Sequence, residues 1–289
     1  MESTHRNAGP RLVLGVDEFA ACAKRADEIG KWNAWRDLYF EPFEKAFRPM
    51  LEVVYRCGRD DLKPYVEGLD FDAALSAARR FIAEDGVARV RKAFSRCIDV
   101  LPPVASFPVY LLVGIGHANG MALPADEPYV FLGLECCDGS AAGLDGLIAH
   151  EYNHLVRVQT VYGGMNPTAL TVGDFVISEG LATVFALRLL GEQLTPERIA
   201  RSISNLDDPA AAAEREPTMR DDVLAHWDRS ADREMIVRFI ESGTAYLVGG
   251  CMIAGLIEDG ESIAELTRTP TVEIARRIVD RDEPTGGAT

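Results

Sequence analysis

Two histidines one helical turn apart are the residues of this chain best suited to bind a metal. Residues 147–156 read LIAHEYNHLV, with His150 and His154 four positions apart. On a helix this spacing places both imidazoles on one face, where they can converge on one ion. Glu151 follows the first histidine and can act as a general base toward a water at that ion. The HExxH pattern therefore predicts a hydrolytic metal site.

Packing or capping without a metal is the alternative for this pair of histidines. The chain has 5 histidines, and two of them fall within the HExxH pattern. On an apolar helix, neutral imidazoles one turn apart each need hydrogen-bond partners, and burying them without partners is unfavourable. The sequence therefore favours a metal at His150 and His154.

A catalytic zinc site needs three protein ligands and one open position. The HExxHxxGxxH pattern is excluded as the source of the third ligand because its last two fixed positions are Arg157 and Thr160. A di-iron helical bundle needs two Glu-x-x-His motifs. Here Glu151 to His154 is the only such motif within a predicted helix. The third ligand must therefore come from another part of the chain.

Glu179 is the candidate for that third ligand. It lies in the apolar segment DFVISEGLATVFALRLL, residues 174–190. A lone carboxylate among such neighbours is unfavourable unless it is paired or binds a metal. A glutamate on a second helix downstream of HExxH is the gluzincin arrangement. The alternative is an exposed glutamate on a polar stripe beside Ser178.

Three motifs in the chain together resemble those of a known family. They are HEYNH at 150–154, ISEGLA at 177–182 and the Tyr-x-x-Gly pattern within GTAYLVGG at 243–250. The sequence is similar in these motifs to the YjaZ-like predicted zinc-dependent proteases, which belong with the gluzincin, thermolysin-like metallopeptidases. The resemblance covers roughly residues 105–260 and does not extend clearly into the first hundred residues.

The resemblance implies a zincin-like catalytic core and a set of roles. Zn²⁺ would be held by His150, His154 and Glu179, with Glu151 as base and proton shuttle. Tyr246, in the Tyr-x-x-Gly helix, would donate a hydrogen bond to the oxyanion.

Alternatives to Tyr246 stay open at this point. Tyr246 could be a core tyrosine on an apolar helix, and Tyr162 and His226 are rival oxyanion donors. His117 could line the cleft. Residues 119–123 stand where the edge strand of gluzincins binds the substrate backbone, so the resemblance implies that role for them.

One position departs from the gluzincin pattern. Many gluzincins carry an aspartate four residues after the ligand glutamate, where it orients a zinc-bound histidine. Here that position is Thr183, whose hydroxyl could accept from an imidazole N–H but carries no charge. Asp145 and Asp174 are alternative groups for orienting the histidines.

The elements that must position these residues are mostly helical. Apolar spacing predicts helices over 16–56, 71–84, 86–100, 141–160, 172–190, 195–204, 219–227, 243–258 and 261–280. Strands are expected within 107–116 and 129–135, and Thr171-x-x-Asp174 is typical of a capping box. The pattern predicts an α+β fold, mainly helical with a small mixed sheet.

This order of elements also predicts how the chain divides into regions. We expect a helical N-terminal region over 1–104 and a zincin-like catalytic domain over 105–283. A disordered tail is expected over 284–289.

Composition limits the partners and the compartment. The formal net charge is −15, which disfavours nucleic acid and anionic lipid, and no apolar run is long enough for a membrane span. The N-terminus lacks the apolar segment of a secretory signal. The six cysteines have irregular spacing, so we expect reduced thiols in a cytoplasmic protein.

The sequence thus predicts a zinc metallopeptidase, a hydrolase that uses a metal-activated water and a glutamate base. One alternative is a zinc enzyme acting on a small molecule, for example in a biosynthetic pathway. Another is a catalytically silent binding module with the zincin fold. The partner is accordingly a peptide or a small-molecule substrate.

Overall fold

A computed structural model describes residues 9–282, apart from 117–118, 138–140, 164–168 and 205. The chain forms two compact units that divide between Gln159 and Thr160. The boundary expected at 104/105 remains a prediction. The expected tail and His117 lie outside the described residues.

The first unit contains a mixed sheet. Its strands are β1 Pro10–Leu14, β2 Phe107–Leu112, β3 Gly120–Leu123 and β4 Tyr129–Gly133. Their order is β1-β2-β4-β3, with β2 parallel to both β1 and β4 and β3 antiparallel to β4. The two central strands are apolar and largely buried, as expected of strands covered on both faces. β3 is an edge strand, and β1 lies in the region expected to be helical.

The helices of this unit precede and follow the strands. They are α1 Val16–Ile29, α2 Lys31–Trp35, α3 Glu44–Pro49, α4 Lys63–Gly68, α5 Phe71–Ala83, α6 Gly86–Val100 and α7 Ala141–Thr160. Short π-helical segments cover Arg36–Phe40 and Met50–Tyr55. The prediction of one helix over 16–56 is wrong, because Gly30 has φ 83° and ends α1. The helices expected near 71–84, 86–100 and 141–160 are confirmed.

Aromatic side chains form the core beside the sheet. Trp35 and Tyr39 are buried and both pack against Phe47, whose ring contacts Phe131 on β4. The backbone N–H of Val113 donates to Tyr39 Oη at 2.7 Å. Burial raises the pKa of Tyr39 well above its ordinary value. This cluster fixes the chain where β2 ends.

Helix α7 is held in the first unit by an apolar stripe. Leu144, Ile148, Tyr152 and Leu155 follow helical spacing and are buried. The Tyr152 hydroxyl donates to the carbonyl oxygen of Leu101 at 2.6 Å. Its ring packs against Phe94 of α6 and Phe107 of β2. These contacts fix the rotation of the helix that carries HExxH.

The described part of the second unit is mainly helical. Its helices are α8 Val172–Leu189, α9 Pro196–Arg201, α10 Pro209–Ala225, α11 Arg233–Met235, α12 Thr244–Glu258, α13 Ile263–Arg268 and α14 Thr271–Asp282. A π-helical segment, Ile236–Glu241, follows α11. The capping box of Thr171 and Asp174 at the start of α8 is confirmed.

Two helix predictions in this unit are wrong. The helix expected over 219–227 begins earlier, at Pro209, where the Asp208 side chain accepts from the Ala211 N–H and caps the helix. The helix expected over 261–280 is two helices, because Pro270 separates α13 from α14. The fold is nonetheless α+β, with a small mixed sheet and mostly helices.

No single helix among the described residues is long and apolar enough to cross a membrane. One bent pair, Arg233–Glu241 with Thr244–Glu258, meets the requirement by length and composition, with a bend of 63° between its members.

Candidate metal centre

His150 and His154 converge on one side of α7. Their Nε2 atoms are 3.0 Å apart, and the ring centroids are separated by 4.7 Å with an interplanar angle of 79°. Two nitrogens bound to a tetrahedral Zn²⁺ at 2.0–2.1 Å stand about 3.3 Å apart. The spacing of the two imidazole nitrogens therefore fits a shared zinc ion.

Glu179 completes a group of three ligands. It lies on α8 and is 8% exposed, so it does not belong to an exposed polar stripe. The ligand atoms of His150, His154 and Glu179 all lie within 4.8 Å of one another. Two imidazoles and one carboxylate are the donor set of a catalytic zinc site with an open fourth position. The cluster could therefore hold a metal ion.

The buried carboxylate gives a physical reason for a cation at this place. An ionised glutamate removed from water is unfavourable unless a positive charge or hydrogen bonds compensate it. A divalent ion compensates the negative charge of Glu179 and also uses the lone pairs of both imidazoles. The residues present thus suit Zn²⁺ in both charge and donor chemistry.

Glu151 lies outside this ligand group and faces the sheet. It is 8% exposed, and its Oε2 accepts a hydrogen bond from the backbone N–H of Ala122 at 2.8 Å. Its Cγ lies 3.1 Å from the place where a Cβ on Gly120 would stand. The carboxylate that follows the first histidine is therefore fixed by strand β3.

The candidate oxyanion donors have different surroundings. Tyr246 is half-buried in the first turn of α12. The Tyr162 hydroxyl donates to the carbonyl oxygen of Asp174 at 3.3 Å, so this hydroxyl binds the backbone in the first turn of α8. His226 Nδ1 lies 2.8 Å from the carbonyl oxygen of Asp222, within the last turn of α10. The assignment of Tyr246 remains a prediction.

Two of the three candidate orienting groups have structural partners. Asp145 Oδ2 accepts from Arg96 Nη1 at 2.5 Å, which joins α7 to α6. Asp174 accepts from the N–H and hydroxyl of Thr171 as part of the capping box. Thr183 is buried on α8, one turn after Glu179.

The sequence motifs do not predict the contact between Ala122 and Glu151, and the substrate-binding role implied for residues 119–123 remains a prediction. The contribution of Ala122 is a backbone N–H, which every residue except proline carries, so its residue type gives no signal. The Asn119-Gly120 pair before it is typical of a turn, alone or followed by a short edge strand. The structure has the strand, at Gly120–Leu123.

Comparison with known proteins assigns the chain to a family. Residues 87–276, more than half of the chain, match the family described as predicted Zn-dependent protease (DUF2268). The chain belongs to this family, whose matched region contains all three motifs. No curated protein and no solved structure matches the chain.

Proposed function

We propose that this protein is a zinc-dependent metallopeptidase of the gluzincin type that hydrolyses peptide bonds. The observation that carries the proposal is the convergence of His150, His154 and Glu179 within 4.8 Å. Membership in a family of predicted Zn-dependent proteases supports the same reaction class. The gluzincin type is supported by a third ligand, Glu179, that comes from a second helix.

His150, His154 and Glu179 would hold the ion. When bound, Zn²⁺ would supply a Lewis acid that polarises the scissile carbonyl and lowers the pKa of a water toward 7. The two histidines would bind through Nε2, the atoms that already face each other. Glu179 would bring one negative charge, so the site as a whole would keep a positive charge.

Glu151 would move the proton. As general base it takes a proton from the attacking water, and it later delivers that proton to the leaving amine. Its 8% exposure keeps bulk water away from the carboxylate, which strengthens its interactions with charges nearby. The Tyr246 hydroxyl would donate to the carbonyl oxygen as negative charge develops there.

We also propose a substrate class and a compartment for this protein. The substrate would be a peptide, and a formal net charge of −15 argues against nucleic acid and anionic membranes as partners. We expect the protein to work in the cytoplasm with reduced thiols. Burial raises the pKa of Cys22 and Cys97 to about 12, which keeps these thiols protonated and unreactive.

The test compares the wild type with Glu151→Gln on a mixed peptide library, with cleavage followed by mass spectrometry. Both proteins are loaded with zinc, and their metal content is measured by elemental analysis. Glutamine keeps the volume of the side chain but cannot take a proton, so cleavage should fall roughly 100-fold to 10,000-fold with zinc retained. Glu127→Gln, at an exposed residue paired with Arg11, is the matched control and should cleave like the wild type.

Three outcomes would count against the proposal. Equal cleavage by the wild type and Glu151→Gln would contradict the role of Glu151. A wild type that binds zinc but cleaves no peptide of a broad library would favour an enzyme of small molecules. A protein without zinc and without cleavage would favour a silent binding module.

A further inference from the structure

The outer edge of the sheet is formed by β3, and two of its residues direct their backbone groups away from β4. Gly133 N–H donates to the carbonyl oxygen of Asn119 at 2.9 Å, and Gly120 lies opposite Leu132. Hydrogen-bonded and non-hydrogen-bonded pairs alternate along an antiparallel ladder. Gly120 and Ala122 are therefore the non-hydrogen-bonded positions, whose N–H and C=O groups face outward.

One of these outward groups binds the proposed base. Ala122 N–H donates to Glu151 Oε2 at 2.8 Å. A hydrogen bond to an ionised acceptor is stronger than one between neutral groups. It engages one oxygen of the carboxylate and leaves Oε1 to accept a proton.

Gly120 provides the space that this contact needs. A Cβ at this position would lie 3.1 Å from Glu151 Cγ, 3.1 Å from Leu147 Cδ1 and 3.2 Å from Leu132 Cδ2. Such contacts are tighter than ordinary van der Waals distances, so a methyl group here would force Glu151 or its leucine neighbours to shift by a few tenths of an ångström. The absence of a side chain at Gly120 lets α7 bring Glu151 against the strand.

We propose that Ala122 and Gly120 are positioning residues for the general base. The backbone N–H of Ala122 fixes Oε2 of Glu151, and Gly120 keeps the path of its side chain clear. The strand thus sets the place and the orientation of the carboxylate that moves the proton. This inference rests on the proposed function, because it assigns Glu151 the role of base.

The first experiment measures amide hydrogen exchange by NMR in the zinc-loaded protein, without any substrate. An outward N–H on an edge strand exchanges quickly unless something holds it. In Glu151→Ala the Ala122 amide should exchange about 10-fold to 100-fold faster than in the wild type, because its acceptor is gone. Met121, whose N–H faces β4, is the internal control and should keep its rate. Equal rates for Ala122 in both proteins would overturn the inference.

The second experiment tests the consequence for catalysis with Ala122→Pro and Ala122→Gly. Proline removes the N–H, and an outward position on an edge strand tolerates it because no ladder bond is lost. Glycine keeps the N–H and is the matched control. In Ala122→Pro kcat should fall about 10-fold to 100-fold because the base is misplaced, while zinc content stays near the wild-type value. In Ala122→Gly, which keeps the donor, kcat should exceed that of Ala122→Pro by about 10-fold or more.

The outcomes of this second experiment distinguish a failure of the inference from a failure of the proposed function. Equal kcat in the two variants would overturn the positioning role. If Ala122→Pro does not fold, Gly120→Ala replaces it and should lower kcat with zinc retained. If the wild type cleaves no peptide, the proposed function fails, and hydrogen exchange still decides whether Ala122 holds Glu151.

Discussion

Gly180 and Gly249 bring the backbones of α8 and α12 into direct contact. A Cβ on Gly180 would lie 2.3 Å from the carbonyl carbon of Gly249, and a Cβ on Gly249 would lie 2.0 Å from the carbonyl oxygen of Val176. Gly180 follows Glu179, and Gly249 lies one turn beyond Tyr246. The glycines of two sequence motifs therefore set the distance between the helices that carry a proposed ligand and a proposed oxyanion donor.

Gly249→Ala should separate these two helices. Its methyl group would meet backbone atoms, which cannot rotate away, so the helices must shift. We expect a loss of about 1–3 kcal/mol in the free energy of unfolding, and weaker zinc binding because Glu179 moves with α8. Urea unfolding and zinc titration against a chelator measure the two effects.

Gly255→Ala, on the same helix, is the matched control for this prediction. Its methyl group would meet the guanidinium end of Arg281, a flexible and partly exposed side chain that can move. The replacement should therefore leave zinc affinity unchanged and change stability little. Equal effects of the two replacements on zinc affinity would contradict the role of the Gly180–Gly249 contact.

The helix that carries HExxH could be predicted from the sequence because its signals are local. His150, His154 and the apolar stripe of α7 all lie within one segment of regular period, and its bounds are confirmed. Glu179 could be singled out because a carboxylate with apolar neighbours in the middle of a helix is unusual, and its burial is confirmed.

Features that depend on distant parts of the chain could not be predicted. Strand β1 pairs with β2 across almost a hundred residues, and its five residues carry no period of their own. The contact of Ala122 with Glu151 joins a backbone donor to a side chain 29 positions away. Short-range patterns contain no information on such pairings, because only tertiary packing creates them.

Removing any one ligand should remove stoichiometric zinc. His150→Ala, His154→Ala and Glu179→Ala each leave two protein ligands, too few for a catalytic site. His226→Ala is the control, since His226 contacts Asp222 and Phe239 and should keep the metal. Elemental analysis of the purified proteins gives the zinc content, and circular dichroism checks the fold. Full zinc occupancy in folded Glu179→Ala would place the third ligand elsewhere.

Tyr246→Phe should slow cleavage without removing zinc. If the hydroxyl donates to the oxyanion, its loss lowers transition-state stabilisation by about 3 kcal/mol, which appears mainly in kcat. Tyr162→Phe is the matched comparison because this tyrosine also lies in the second unit but binds the backbone of α8. A larger loss of kcat in Tyr162→Phe than in Tyr246→Phe would reverse the two assignments.

Buried thiols should make the protein less stable at alkaline pH. Burial raises the pKa of Cys97 to about 12, from an ordinary value near 9. Between these two values the unfolded chain ionises the thiol while the folded chain keeps it protonated. The unfolded state then binds fewer protons, so the free energy of unfolding falls as pH rises, by about 1.4 kcal/mol per pH unit for each such thiol.

Cys97→Ala separates this effect from other alkaline titrations. The variant loses packing at every pH, but its free energy of unfolding should fall less steeply between pH 9 and 12 than that of the wild type. Urea unfolding at several pH values, with a reductant present, gives both slopes. Cys57→Ala removes a half-exposed thiol. It should reduce the slope of the free energy of unfolding against pH by a smaller amount, because burial stabilises the protonated form of Cys57 less. Parallel curves for Cys97→Ala and the wild type would show that Cys97 already ionises in the folded protein.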